Sequence, residues 1–252
     1  MPINAVVFDY GNVLNEPPPV VQYQALARLA GINEAEFLDL YWRNRVEYDR
    51  SIRLDGPAYW QQLAMAAGKQ FTADQIRHLI ELDGRLWVRI RPILIEWVQV
   101  LRKQGRETAI LSNMPREISA HLRRTAAWLR LFDHLVFSGE HGHVKPEAGL
   151  YRVCLKGLKA QPGEVLFFDD REDNVEGARE AGMHAVKFES IPQLMRDVNP
   201  TACDPRSKKP PAPSPQDPRP VGLHRPRKVL GRESLCEQSG VARLCRPAVR
   251  KA

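Results

Sequence analysis

Val165-Leu166-Phe167-Phe168-Asp169-Asp170 runs four apolar residues straight into two adjacent carboxylates. An apolar run this short, with no alternation, reads as a strand buried on both faces, and the two acids mark its end. The same grammar recurs along the chain. Ile3-Asn4-Ala5-Val6-Val7-Phe8 delivers Asp9 and breaks at Gly11-Asn12, and Thr108-Ala109-Ile110-Leu111 stops at Ser112-Asn113. His134-Leu135-Val136-Phe137 and Ala185-Val186-Lys187-Phe188 are two further strand-like runs. Helical patterns lie between them: Pro92 to a stop at Gly105, Pro115 to about Leu129, Glu147 to Leu158, and 172–181 before Gly182. Continuous apolar strands alternating with helices predict a doubly wound, Rossmann-like parallel sheet covered on both faces. Ligands on such sheets bind beyond the carboxyl ends of the strands. Asp9, Ser112 and Asp169-Asp170 each follow a strand directly, so all are expected at that one edge.

Two segments stand outside the alternation. After Pro17-Pro18-Pro19 come about 70 residues of helical pattern, with starts at Asn33-Glu34-Ala35-Glu36, Asp55-Gly56-Pro57 and Thr72-Ala73-Asp74-Gln75. Residues 17–88 are read as an all-helical insertion into a core formed by 1–16 and 89–199. Residues 200–252 hold half of the 20 prolines, with 12 Lys/Arg against 4 Asp/Glu. The net charge of +7 therefore belongs to this tail, and the body is close to neutral. Such a segment buries too little apolar surface to offset its ordering entropy and reads as disordered. Its charge could draw it to nucleic acid or an anionic surface, but it has no aromatic residue for base stacking, and a solvated extension is the simpler expectation. No apolar run approaches the roughly 20 residues of a membrane span. The N-terminal pattern is not that of a secretory signal, and four cysteines without a CxxC pair suit a reducing cytoplasm.

Two neighbouring carboxylates after a buried strand repel one another and resist desolvation, so Asp169 and Asp170 call for positive charge nearby. A hard divalent cation suits the position, and Mg2+ typically takes one or two carboxylates plus water and phosphate oxygens. Asp9 supplies a third carboxylate, and an aspartate beside such an ion can act as a nucleophile. Ser112 and the helix start that follows it could hold phosphate oxygens, and Lys145, ahead of Pro146, offers a compact positive charge. Taken singly, a strand-terminal Asp is more often a helix cap, and a lone Ser or Lys-Pro is more often surface structure. The set carries the reading.

Four segments in this order and spacing resemble the haloacid-dehalogenase-like superfamily: Phe8-Asp9-Tyr10-Gly11-Asn12-Val13-Leu14, Leu111-Ser112-Asn113, Val144-Lys145-Pro146, and Phe168-Asp169-Asp170-Arg171-Glu172-Asp173-Asn174. The resemblance covers about residues 3–190 and makes the insertion a small helical cap that closes over the site. It implies a phosphatase with Asp9 as nucleophile and Ser112, Asn113 and Lys145 as phosphate ligands. It implies Mg2+ held by Asp9, Asp170 and the Gly11 carbonyl, with Asp169 and Asn174 shaping the metal side. The Asp-x-Gly-Asn-Val pattern is similar to that of bacterial sugar-phosphate (α-glucose-1-phosphate) phosphatases, so a small phosphate ester is the expected substrate.

One position departs from the usual pattern. Most phosphatases of this superfamily carry a general acid and base two residues after the nucleophile, and here that residue is Gly11. General acid–base help is typically worth about 10²–10⁴ in rate. A catalytically silent binding protein is therefore one rival reading, and a metal-free 2-haloacid dehalogenase is another. Against the second, unscreened carboxylates at Asp169-Asp170 would hinder an anionic substrate. Glu16 is a candidate stand-in for the absent acid, with solvent exposure the plainer expectation. Trp42, Arg43, Arg45, Tyr48 and Arg53 are cap residues that could meet substrate or simply form the cap interior. His141 and His143, with no third ligand in view, read as loop residues.

Overall fold

The computed structural model describes residues 3–198, which fall into two compact units, one ending at Glu189 and a second that begins at Ser190. Of the second unit, one helix (Ile191–Val198) is described. The tail, residues 200–252, lies outside the described residues.

Five strands form one parallel sheet: β1 (Ala5–Phe8), β2 (Glu107–Ser112), β3 (His134–Phe137), β4 (Val165–Asp169) and β5 (His184–Lys187). Their order is β3-β2-β1-β4-β5. Every residue of β1 is buried, which is why its sequence shows no alternation. The register pairs Phe8 with Ile110 on one side and with Phe168 on the other. The chain winds outward from β1 through β2 to β3, then crosses back to β4 and on to β5. The reversal between β1 and β4 opens a crevice at their carboxyl ends.

The helical segment between β1 and β2 comprises α1 (Val20–Ala30), α2 (Glu34–Arg43), α3 (Arg45–Arg50), α4 (Gly56–Ala66) and α5 (Ala73–Leu86), followed by α6 (Pro92–Lys103) against the sheet. The starts read from sequence are physical caps. Asp55 accepts from the Ala58 N–H at 2.8 Å, and Thr72 with Gln75 closes a reciprocal capping box. At Asn33 the side chain caps Ala35 alone, without a return bond from Glu36. The chain leaves and re-enters the core by two strands of backbone running side by side. Glu16 N–H donates to the Arg89 carbonyl at 2.8 Å, Arg91 N–H donates to the Leu14 carbonyl at 2.8 Å, and Asn15 bridges Ile90. Helices α1–α5 have their own apolar interior, centred on Phe37, Tyr41, Tyr48, Tyr59 and Trp60. Full burial of an apolar ring such as Phe37 is worth roughly 1.5–3 kcal/mol.

The remaining helices are α7 (Arg116–Thr125), a short α8 (Ser138–His141), α9 (Ala148–Gly157) and α10 (Glu172–Glu180). The helix expected to reach Leu129 ends at Thr125 and is followed by a tighter turn, Ala127–Leu131. The apolar residues there continue to serve the core: Trp128 stacks on Tyr10, and Phe132 meets Phe8 edge-on.

Candidate active site

Three adjacent strands bring the sequence-predicted residues to one edge. Asp9 is the first residue beyond β1, Ser112 is the last of β2, and Asp169 closes β4 with Asp170 next to it. Carboxylate oxygens of Asp9, Asp169 and Asp170 lie within 4.8 Å of one another, and among the described residues theirs is the one acidic group tight enough to hold a metal ion. Lys145 enters from the loop between α8 and α9. Its Nζ stands 2.7 Å from Asp9 Oδ1 and 2.6 Å from Asp169 Oδ2, and its side chain is almost wholly buried.

The cluster sorts its carboxylates by what they already hold. Asp169 is saturated: Oδ1 accepts from the Arg171 N–H and the Asn174 amide, both at 2.9 Å, and Oδ2 accepts from Lys145 and more weakly from Asn174. Asp9 Oδ1 accepts from Tyr10 N–H at 2.7 Å and from Lys145, whereas Asp9 Oδ2 takes no hydrogen bond among the described residues. Asp170 Oδ2 accepts from the Asn12 amide at 2.9 Å. Asp9 and Asp170 thus retain the uncommitted oxygens. Asn174 orients Asp169 and is itself tied to α9, since its carbonyl accepts from the Tyr151 hydroxyl at 2.7 Å.

Asn113 holds the site in a way the sequence did not reveal. Its amide oxygen accepts from the Lys145 N–H at 2.7 Å, and its amide nitrogen donates to the Lys145 carbonyl at 3.0 Å. This two-way bond fixes the backbone that aims the lysine, so any ligand contact from Asn113 falls to its own backbone N–H. Ser112 is buried. Asn12 was also missed. Its backbone is left-handed (φ 58°), a conformation asparagine tolerates, and that turn carries its amide to Asp170. The Gly-Asn pair at the strand end was the available signal.

Burial pushes Asp9 up to about 7; Lys145 works against that rise, and Asp169 and Asp170 add to it. Burial also raises Asp170, opposed by the Asn12 bond and reinforced by Asp169. For Lys145 burial acts downward, but Asp169 and Asp9 outweigh it and hold the ammonium above its ordinary range. One ammonium facing three carboxylates leaves negative charge in excess inside a desolvated edge. An all-oxygen donor set with that imbalance fits a hard divalent cation.

The weaker candidates settle elsewhere. Glu16 pairs with Arg89 at 2.6 Å, partly exposed. Arg45 and Tyr48 are interior to the helical segment between β1 and β2, and Arg43 pairs with Asp39 on its surface. His143 lies 3.8 Å from Glu147 on an exposed turn.

A family model described as haloacid dehalogenase-like hydrolase matches residues 3–182. The chain belongs to that family. The hydrolase resembles a phosphatase of Mycobacterium tuberculosis at 28% identity over 206 residues, 79% of this chain and 95% of that protein. It also matches mouse acyl-CoA dehydrogenase family member 10 at 31% identity over 42% of this chain, but spans only 10% of that much longer protein. Among solved structures, an enzyme of the family from Bacteroides thetaiotaomicron, in complex with magnesium and inorganic phosphate, superposes with a TM-score of 0.58 at 21% identity. That match covers 77% of this chain and all of the other, and speaks for a shared fold. No helix among the described residues is long and apolar enough to cross a membrane.

Proposed function

We propose that this hydrolase is a Mg2+-dependent phosphatase of the cytoplasm that cleaves a small phosphomonoester, a sugar phosphate in particular, through an aspartyl phosphate on Asp9. The observation that carries this reading is the buried meeting of Asp9, with one oxygen uncommitted, and Lys145 beside Asp169-Asp170. The names of the relatives point the same way. The free, buried thiol of Cys154 suits a reducing compartment.

In this reading Asp9 Oδ2 attacks phosphorus while Oδ1 stays pinned by Tyr10 N–H and Lys145, so the attacking oxygen is aimed without rotating. Lys145 and Ser112 hold phosphate oxygens, with the Asn113 backbone N–H beside them. Asp9, Asp170 and the Gly11 carbonyl would hold the cation, which supplies screening between the carboxylates and the phosphate dianion. Asp169 keeps Lys145 charged and in place. A dehalogenase reading is disfavoured by the same excess of carboxylate, which an anionic haloacid would have to approach unscreened.

The test is release of inorganic phosphate from a panel of phosphomonoesters, with Mg2+ and with chelator. Turnover that survives both chelation and Asp9→Asn would sink the proposal.

A further inference from the structure

Hydrolysis by way of an aspartyl phosphate needs a proton for the departing alkoxide and an acceptor for the proton of the attacking water. Position 11 offers neither. Glycine is not there because the backbone demands it: φ −62° and ψ 127° suit any residue, and an added Cβ would meet only Asp9 Oδ2, at 3.8 Å. Within the core cluster Asp9 is the nucleophile, Asp169 is saturated, and Asp170 is read as holding the cation. The proton-transfer group must come from outside these residues.

The helical insertion brings the backbone of one acidic residue, Asp49, to the loops beside this edge on a braced support. The last turn of α3 is fastened to the core at three points. The Ser138 hydroxyl donates to the Asp49 carbonyl at 2.5 Å while accepting from Met114 N–H at 2.8 Å, two residues beyond Ser112. The Arg116 N–H donates to the Ser51 hydroxyl at 3.3 Å. Arg50 grips Glu147, two residues beyond Lys145, through two bonds of 2.8 and 2.7 Å. Asp49 sits amid these fastenings, its side chain 13% exposed. Arg45 Nε holds Oδ1 at 2.9 Å, and Oδ2 takes no hydrogen bond among the described residues.

We propose that Asp49, presented by the cap over the Ser112–Met114 and Lys145–Glu147 loops, is the general acid and base of this hydrolase in place of a side chain at position 11. The assignment rests on the phosphatase reading above. In the first step Asp9 Oδ2 forms a bond to phosphorus as the ester P–O bond breaks, and the leaving oxygen takes the proton of the Asp49 carboxyl. In the second, water adds to phosphorus and gives its proton to the Asp49 carboxylate. The P–O bond to Asp9 breaks, releasing inorganic phosphate and restoring both carboxyl groups. Burial pushes Asp49 up to about 6, against the opposing pull of Arg45 and Lys145 and with help from Asp83. Tyr59 is a further titratable side chain close enough to interact with it. A carboxyl in that range serves as donor and acceptor near neutral pH.

The proposal is tested with Asp49→Asn, which keeps an acceptor for Arg45 but cannot pass a proton. Two esters are compared, p-nitrophenyl phosphate, whose leaving group needs no proton, and glycerol 2-phosphate, whose alkoxide does. The expected result is a loss of about 10²–10⁴ in kcat on glycerol 2-phosphate. With p-nitrophenyl phosphate the variant should keep a burst of one nitrophenolate per enzyme and accumulate phosphoenzyme. Wild-type kcat should fall as pH drops through Asp9, near 7, and again through Asp49, near 6, and the variant should lose the lower of these two limbs. Equal losses on both esters with no burst and an unmoved lower limb would overturn the assignment, as would unchanged kcat. If Asp49→Asn does not fold, Asp49→Glu decides: a displaced lower limb supports the proposal and an unmoved one overturns it. Wild-type protein inert toward every ester would instead remove the phosphatase reading beneath it, whereas an active wild type beside an unaltered Asp49→Asn removes this inference alone.

Discussion

The helical insertion and the sheet edge both bury charge, and they balance it differently. In the insertion, Arg45 donates to Asp83 at 3.1 Å and Asp49 at 2.9 Å, and the Tyr41 hydroxyl donates to Asp83 at 2.6 Å. The rings of Tyr41, Trp42, Tyr48 and Trp87 surround the guanidinium within 6 Å. Burial would lower Arg45, yet Asp83, Tyr41 and Asp49 together hold it well above its ordinary range. At the sheet edge one lysine faces three carboxylates, and the nucleophile candidate is pushed up to about 7. The Arg45–Asp83 pair, partnered on every side, is architecture, whereas Asp49 keeps one oxygen that Arg45 does not hold. A buried charge left in excess marks where something positive, and then a substrate, belongs.

The sharpest way to break that contrast is to neutralise one carboxylate from each region. Asp9→Asn should lower turnover by about 10⁴ or more, in line with other nucleophile deletions. Its melting temperature should stay at or above that of the wild type, because a repelling charge has been removed. Asp83→Ala should do the opposite. It strands Arg45 without its main partner and should cost about 3–5 kcal/mol in denaturant unfolding, as loss of one member of a buried pair typically does. If Asp9→Asn unfolds and Asp83→Ala does not, the distinction between the two regions is wrong.

A smaller effect sharpens the assignment of the excess. Mg2+ at about 100 times its dissociation constant should add roughly 2.7 kcal/mol to stability, read as a rise in melting temperature. The rise should disappear in Asp170→Asn and persist in Asp83→Asn. Smaller still is a pH effect on Asp49. Its carboxyl is raised in the folded state to about 6 from 3.8, so between those values the native protein binds more protons than the unfolded chain. Stability contributed by the protonated form is present below about pH 4 and lost as pH rises through about 6. Asp49→Asn should therefore gain in melting temperature relative to wild type as pH rises from about 4 to 7. A constant difference across that range would remove the raised carboxyl. Smallest is Glu147→Gln, which weakens a partly exposed latch to Arg50 and should cost at most about 1 kcal/mol.

Much of this was legible in the chain. Val165–Asp170 and Ile3–Asp9 announced buried strands ending in acids because a parallel strand, covered on both faces, excludes polar residues until its end. Asp55 and Thr72 announced helix starts because capping is a bond between neighbours. What escaped were bonds between residues far apart in sequence: Asn113 to the Lys145 backbone, Asn12 to Asp170, and the lock of α3 onto Ser138 and Glu147. In α2 and α3, aromatic and charged residues share one helical period, so the sequence could not say whether Arg45 and Tyr48 turned inward or toward a substrate.

The sequence by itself determined the alternation, the edge on which the acids gather and the family to which they belong, because apolar period and strand-end chemistry are local properties. The tertiary structure alone decided which oxygens remain free and which are spent, and that Asp49, Arg50 and Ser51 latch the end of α3 to the loops beside that edge. Those outcomes depend on where β1 and β4 part and where α3 comes to rest, and each polar bond there is made only when the chain has closed upon itself.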